Sequence, residues 1–133
     1  MIQEEKELLL VDLCARLPYW VKVKVRYYYE YEDGTFKKYN ETKYFDAEIL
    51  DLLISGDRSL DDIKPYLRPM SSMTEEEQKE YHKTFRAEVY GRGFVYVESI
   101  RSFDWLNKKM FDYRGLIPKG RAIEVTEENN PYK

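Results

Sequence analysis

The chain has 133 residues, 35% of them charged, and a formal net charge of -3, which suits one domain and gives no whole-molecule field drawing it onto nucleic acid or anionic lipid. A lone cysteine, Cys14, and a lone histidine, His82, exclude an intramolecular disulfide framework and a Cys/His zinc site, and point to a reducing cytoplasm. The first apolar run, residues 8–11, follows Glu4, Glu5 and Glu7 and is too short for a bilayer span or a signal peptide, so no membrane partner is expected.

Residues 3–17 predict a helix. Leu10, Leu13, Cys14 and Leu17 recur at i, i+3, i+4 and i+7 as an inward stripe, with the Cys14 thiol buried and inert inside it. Acidic residues near its start and Arg16 near its end follow the helix dipole, and Pro18 stops it. Over residues 19–31 the period becomes two. Val21, Val23, Val25, Tyr27, Tyr29 and Tyr31 alternate with Lys22, Lys24, Arg26, Tyr28 and Glu30, as in a strand with one face buried. Asp33-Gly34 signals a two-residue type I′ turn, and residues 35–45 supply the returning strand. Placing Glu32 opposite Thr35 sets Glu30 against Lys37, Tyr28 against Tyr39 and Arg26 against Glu41, all favourable cross-strand pairs. The same register sets Lys24 against Lys43, a like-charge contact.

Asp46 caps a short helix over 47–54, where Ile49, Leu50 and Leu53 share a face and Gly56 ends it. Pro65 and Pro69 punctuate residues 57–73. There Ser59 caps one turn over 60–64, and the rest reads as an ordered loop holding Tyr66, Leu67 and Met70. Thr74 and Glu77 form a capping box for a helix running to about Arg86. Residues 88–90 and 94–98, around Gly91-Arg92-Gly93, read either as a second hairpin or, from Phe85, as a continuation of that helix. Ser102 caps a further helix through Met110, and 122–125 form a terminal strand. The fold class is α+β: a small antiparallel sheet led by one long β-hairpin, packed against three or four helices. Residues 1–125 make one domain and 126–133 a polar, flexible tail.

Several stretches carry a resemblance. They are residues 64–77 (KPYLRPMSSMTEEE), the run Asp104-Trp105-Leu106-Asn107 and the run Phe111-Asp112-Tyr113-Arg114-Gly115-Leu116-Ile117. Together with the opening residues 6–10 and 12–19, they resemble a group of short uncharacterised proteins. Those proteins recur in genomes of gut anaerobic bacteria, often beside phage or mobile-element genes. The resemblance implies a bacterial, phage or mobile-element setting and carries over no catalytic residue. Where that group has small or His residues after the Trp-Leu-Asn run, this chain has Lys108-Lys109-Met110.

The inventory for catalysis is thin, so an enzyme is not the expectation, and neither a cofactor nor a metal is predicted. Nucleophile and base need a positioned pair, and His82 sits on a charged helix where a solvated surface role is expected. Gly91-Arg92-Gly93 lacks the third glycine and the helix-opening context of a phosphate loop. Asp57, Asp61 and Asp62 do not follow calcium-loop spacing, and helix-start capping accounts for the last two.

What remains is surface, and 13 Tyr, 6 Phe and 2 Trp supply the rings that suit half-buried faces and contacts. The leading expectation is a non-catalytic interaction protein with a protein-binding surface. Trp105, Tyr113 and Arg114, with Tyr66 and Arg68 as a smaller set, are the residue types enriched at binding hot spots. The alternative is a single-stranded nucleic-acid-binding module. It uses the basic and aromatic outer face of the hairpin, Lys22, Lys24, Arg26, Tyr28, Tyr39 and Lys43, where cations track phosphates and rings stack bases. Oligomeric state is not legible at this level.

Overall fold

The computed structural model describes residues 1–133. Its helices are α1 (Gln3–Arg16), α2 (Ala47–Ser55), α3 (Glu75–His82) and α4 (Ile100–Lys108). Its strands are β1 (Lys22–Glu30), β2 (Phe36–Tyr44), β3 (Ile63–Pro69), β4 (Arg86–Tyr90), β5 (Gly93–Val97), β6 (Phe111–Asp112) and β7 (Ile123–Glu124). The class is α+β, with the β1–β2 hairpin leading the main sheet. That sheet runs β2-β1-β3-β6, with β7 also on β3, while β4 and β5 form a separate two-stranded ribbon. β1 pairs antiparallel with β2 and β3, and the two short strands β6 and β7 join β3 in parallel. No helix is long and apolar enough to cross a membrane.

Alternation decides which side of the sheet is filled. Val23 and Val25 of β1 are buried together with Leu9 and Leu13 of α1, Ile49 of α2, and Ile63 and Leu67 of β3. A second, aromatic cluster joins Tyr81 of α3, Leu106 of α4 and Phe111 of β6, with Trp105, Phe85 and Tyr113 packed on it. Local signals set several boundaries as expected. Asp46 accepts from the Ile49 N–H (3.0 Å) at the start of α2, and Gly56 ends it with φ +85°. Thr74 and Glu77 close a reciprocal capping box at 3.1 Å in each direction. No such signal marks the end of α3, which stops at His82 rather than near Arg86. Residues 86–97 then form a hairpin, not a helical extension. Gly91 has φ +57° and Arg92 does not share that sign, the type II′ pattern of a two-residue loop. α4 starts at Ile100, before Ser102, because Ser102 Oγ instead accepts from the Ser99 N–H (2.9 Å).

Three other expectations are corrected. The buried face of α1 is Leu9, Asp12, Leu13 and Arg16, one residue round from the apolar stripe, and Cys14 is exposed. The stripe lost because the buried face carries an ion pair with partners elsewhere in the fold. In the first hairpin, Tyr31 N–H donates to Thr35 O (2.8 Å) and Gly34 sits at φ +86°, so the loop has three residues and ends on a glycine bulge. The register therefore slips by one. Tyr27 faces and stacks on Tyr39 (5.2 Å), and Lys24 faces Thr42 instead of Lys43, which removes the like-charge contact.

The third correction is β3, read from its prolines as loop but lying in the middle of the sheet. Tyr66 turns its carbonyl towards β1, where the Tyr132 hydroxyl bridges it (2.7 Å) to the Lys22 N–H (3.1 Å). Since successive residues of a strand address opposite edges, Pro65 presents its missing N–H away from β1, where no ladder bond is lost.

Candidate interaction surfaces

The residues singled out as binding hot spots are held in internal contacts. Arg16 is wholly buried and uses every donor of its guanidinium. Its Nε and Nη2 donate to Asp12 (2.9 and 3.1 Å), Nη2 also to Phe111 O (2.6 Å), and Nη1 to the Leu106 and Asn107 carbonyls (3.5 and 3.4 Å). Those last two carbonyls belong to the final turn of α4, whose C-terminal end lacks intrahelical donors and favours positive charge. Arg114 completes the cluster, donating to Asp12 Oδ1 (2.7 Å) while stacking over Tyr113 (4.4 Å). The Tyr113 hydroxyl donates to Asn107 Oδ1 (2.9 Å). Trp105 lies between the rings of Tyr81 (5.5 Å) and Phe111 (5.7 Å), stacked on both. Tyr66 is buried against Thr42 Oγ1 (3.1 Å). The structure thus brings Trp105, Tyr113 and Arg114 together around the end of α4, and leaves Tyr66 apart under β2.

Arg68 makes a bidentate pair with Glu77 (2.8 and 2.7 Å) and lies over the Phe111 ring (4.2 Å). The Arg68 hydrogen bonds hold the Glu77 carboxyl at about 2, well below its ordinary 4.5. A carboxyl lowered on folding contributes fully above the unfolded value, and its contribution fades as pH falls from about 4.5 towards 2. Glu77→Gln keeps the capping geometry and removes the charge. It should cost about 1–2 kcal/mol at pH 7, after allowance for solvent screening of a partly exposed pair. Urea unfolding at a series of pH values should show the variant and wild-type stabilities converging near pH 2.

The slipped register divides the basic and aromatic set. Lys22, Lys24, Arg26 and Tyr28 share the outer face of β1, whereas Tyr39 and Lys43 lie on the face of Val23 and Tyr27. Lys43 Nζ meets the Tyr27 hydroxyl there (3.5 Å). On the outer face Lys38 and Tyr44 of β2 and Lys64 of β3 join the set, and Lys22 lies over Tyr44 (4.7 Å). A hollow of about 160 Å³ opens between Lys24, Arg26, Asn40 and Lys64, but Asp61 and Asp62 line it as well. Asp62 accepts from the Tyr28 hydroxyl (3.1 Å). The charge on this face is therefore mixed in sign. At its far end Lys22 Nζ donates to Pro131 O (2.7 Å), and burial pushes the bridging Tyr132 phenol up to about 12.

The surface that sequence reading passed over is the β4–β5 ribbon. Its pairs are Arg86 with Val97, Ala87 with Tyr96, Glu88 with Val95, Val89 with Phe94 and Tyr90 with Gly93. Strand alternation therefore gathers Ala87, Val89, Phe94 and Tyr96 on one face, with no polar side chain beyond the tyrosine hydroxyl. Nothing covers that face: Val89 is 81% exposed, Phe94 61% and Tyr96 65%. At the base of the ribbon Ile100 and Phe103 of α4 add exposed apolar surface beside a broad hollow that also includes Phe85 and Glu98. No group of three His, Cys, Asp or Glu side chains is placed to hold a metal ion. No protein-family model, curated protein or solved structure matches the chain.

Proposed function

We propose that this chain is a non-catalytic interaction protein that docks a protein partner on the apolar face of the β4–β5 ribbon. The observation that carries this reading is the exposure of Val89, Phe94 and Tyr96 side by side on a face free of charge. Contiguous apolar surface of this kind on a water-facing element marks contact sites, and aromatic side chains are enriched at the centres of interfaces. Trp105, Tyr113, Arg114 and Arg68 then act as the frame that holds α3, α4 and β6 beneath the ribbon, Tyr66 packs apart from them against β2, and the contact residues are those of the ribbon itself. The resemblance to proteins of phages and mobile elements of gut anaerobes supports a bacterial cytoplasmic protein, of host or element, as the partner.

The test is affinity capture from native or phage-infected cells with the wild-type chain and with Val89→Ser/Phe94→Ser. Both residues lie in the solvent, so the double variant should unfold within about 0.5 kcal/mol of the wild type. It should nevertheless lose the captured protein. A partner retained by the folded variant overturns the reading. Salt-sensitive binding of labelled oligonucleotides, with no protein captured, moves the function to the outer face of β1 and β2.

A further inference from the structure

β4 and β5 pair with each other and with no other strand, so the outer edge of each is open. A two-stranded ribbon by itself is marginal in water, and an open edge offers a row of unpaired N–H and C=O groups to another strand. Edges built to stay unpaired are very short or carry proline, a bulge or charged side chains. β4 has no proline and pairs residue for residue without a bulge. Its two charges, Arg86 and Glu88, lie on the ribbon face opposite Val89 and Phe94, and they already contact each other at 2.8 Å.

The spacing of those two charges makes the edge complementary to itself. Consider two copies of β4 running antiparallel about a two-fold axis through Ala87. Ala87 then faces Ala87, Arg86 of each copy faces Glu88 of the other, Phe85 faces Val89, and Thr84 faces Tyr90. Moving the axis to Arg86 or to Glu88 sets arginine against arginine or glutamate against glutamate. Opposite charges placed directly across strands are favourable and like charges are not. Among the three, charge selects the register centred on Ala87, and that register also pairs the apolar residues.

We propose that a second copy of this chain is the occupant of the β4 edge, giving a two-fold dimer with a continuous sheet in the order β5-β4-β4-β5. Such an isologous contact closes on itself and forms no fibre. One face of the joined sheet carries Ala87, Val89, Phe94 and Tyr96 from each copy, so dimerisation doubles the apolar platform. The dimer does not depend on the existence of the partner proposed above. Pairing two five-residue edges buries less than the roughly 1,200 Å² of a standard stable interface, so the association is weak and depends on concentration.

Sedimentation equilibrium of the full chain over roughly 1–200 μM reads the association directly, because assembly follows mass action. The wild type is expected to pass from monomer to dimer across that range. Arg86→Glu and Glu88→Arg should each weaken the association about tenfold or more, since each turns both cross-copy pairs into like-charge pairs. The double variant R86E/E88R restores opposite charges in the same register and should dimerise like the wild type. Thermal unfolding at low concentration keeps the comparison free of folding defects: the double variant should match the wild type there, and the single reversals should shift only slightly, because the Arg86–Glu88 contact they break is exposed. A wild type that stays monomeric throughout, or single reversals that dimerise as well as the wild type, overturns the proposal. This outcome is separate from the capture experiment, which can succeed with a monomer.

Discussion

Replacing Arg16 with Met should destabilise the protein by about 3–5 kcal/mol, the range found when one partner of a buried ion pair is removed. The reason lies in what the substitution leaves behind. Asp12 is wholly buried, and without Arg16 its carboxylate keeps only Arg114 as a cationic partner. The Asn107 and Phe111 carbonyls keep the N–H groups of Met110 and Tyr113 (3.2 Å each), whereas the Leu106 carbonyl loses its guanidinium donor. An acceptor buried without a partner costs about 1–3 kcal/mol, although such penalties overlap within one cluster. Arg16→Lys should recover little of the loss, because an ammonium cannot present the planar fork that reaches a carboxylate and helix-end carbonyls together. Asp12→Leu/Arg16→Met removes both charges and should cost less than the sum of the single changes. Urea unfolding of the three variants, with unchanged denaturant dependence, supplies that comparison. A loss below about 1 kcal/mol for Arg16→Met would show that the cluster carries little of the fold's stability.

That cluster also explains where sequence reading stopped. Signals that act within a few residues were legible: the Val21-Val23-Val25 alternation, the Asp46 cap and the Thr74–Glu77 box each specify local geometry. The buried face of α1 was not, because a charged i, i+4 pair reads as solvent-facing, and the carbonyls that justify its burial lie some 90 residues further along the chain. The hairpin register failed on one residue of loop length. Asp33-Gly34 fits a two-residue turn as well as the end of a three-residue loop, and the stacking of Tyr27 on Tyr39 sides with the latter. β3 was hidden by proline, since sequence alone does not say which edge of a strand will lack a partner. Among the candidate surfaces, the turn at Gly91 was visible, but whether Val89, Phe94 and Tyr96 would find a cover is decided by the placement of every other element. Residue type alone therefore favoured Trp105 and Arg114, which the fold uses for itself.

Trp105→Ala provides the sharpest separation of those two roles, and it should cost about 3–5 kcal/mol, as large aromatic truncations in packed sites do. Its indole is clamped between Tyr81 and Phe111, and Phe111 in turn lies beneath the Arg68 guanidinium that pairs with Glu77. Removing the ring opens a cavity between α3 and β6, which loosens Phe111 and weakens the seat of the Arg68–Glu77 pair. The Ala variant should consequently lose part of the pH dependence between about 4.5 and 2 that Glu77 supplies. Trp105→Phe fills much of the same space and should recover most of the stability. A contact residue with no structural duty would behave in the opposite way, leaving unfolding within about 0.5 kcal/mol of the wild type while abolishing capture of the partner. The ribbon variant Val89→Ser/Phe94→Ser is expected to show that second pattern, because its side chains touch water where the Trp105 ring touches Tyr81 and Phe111. Measuring unfolding and capture on both variants therefore assigns frame and contact surface independently, and a stable Trp105→Ala that fails to capture would return the function to the end of α4.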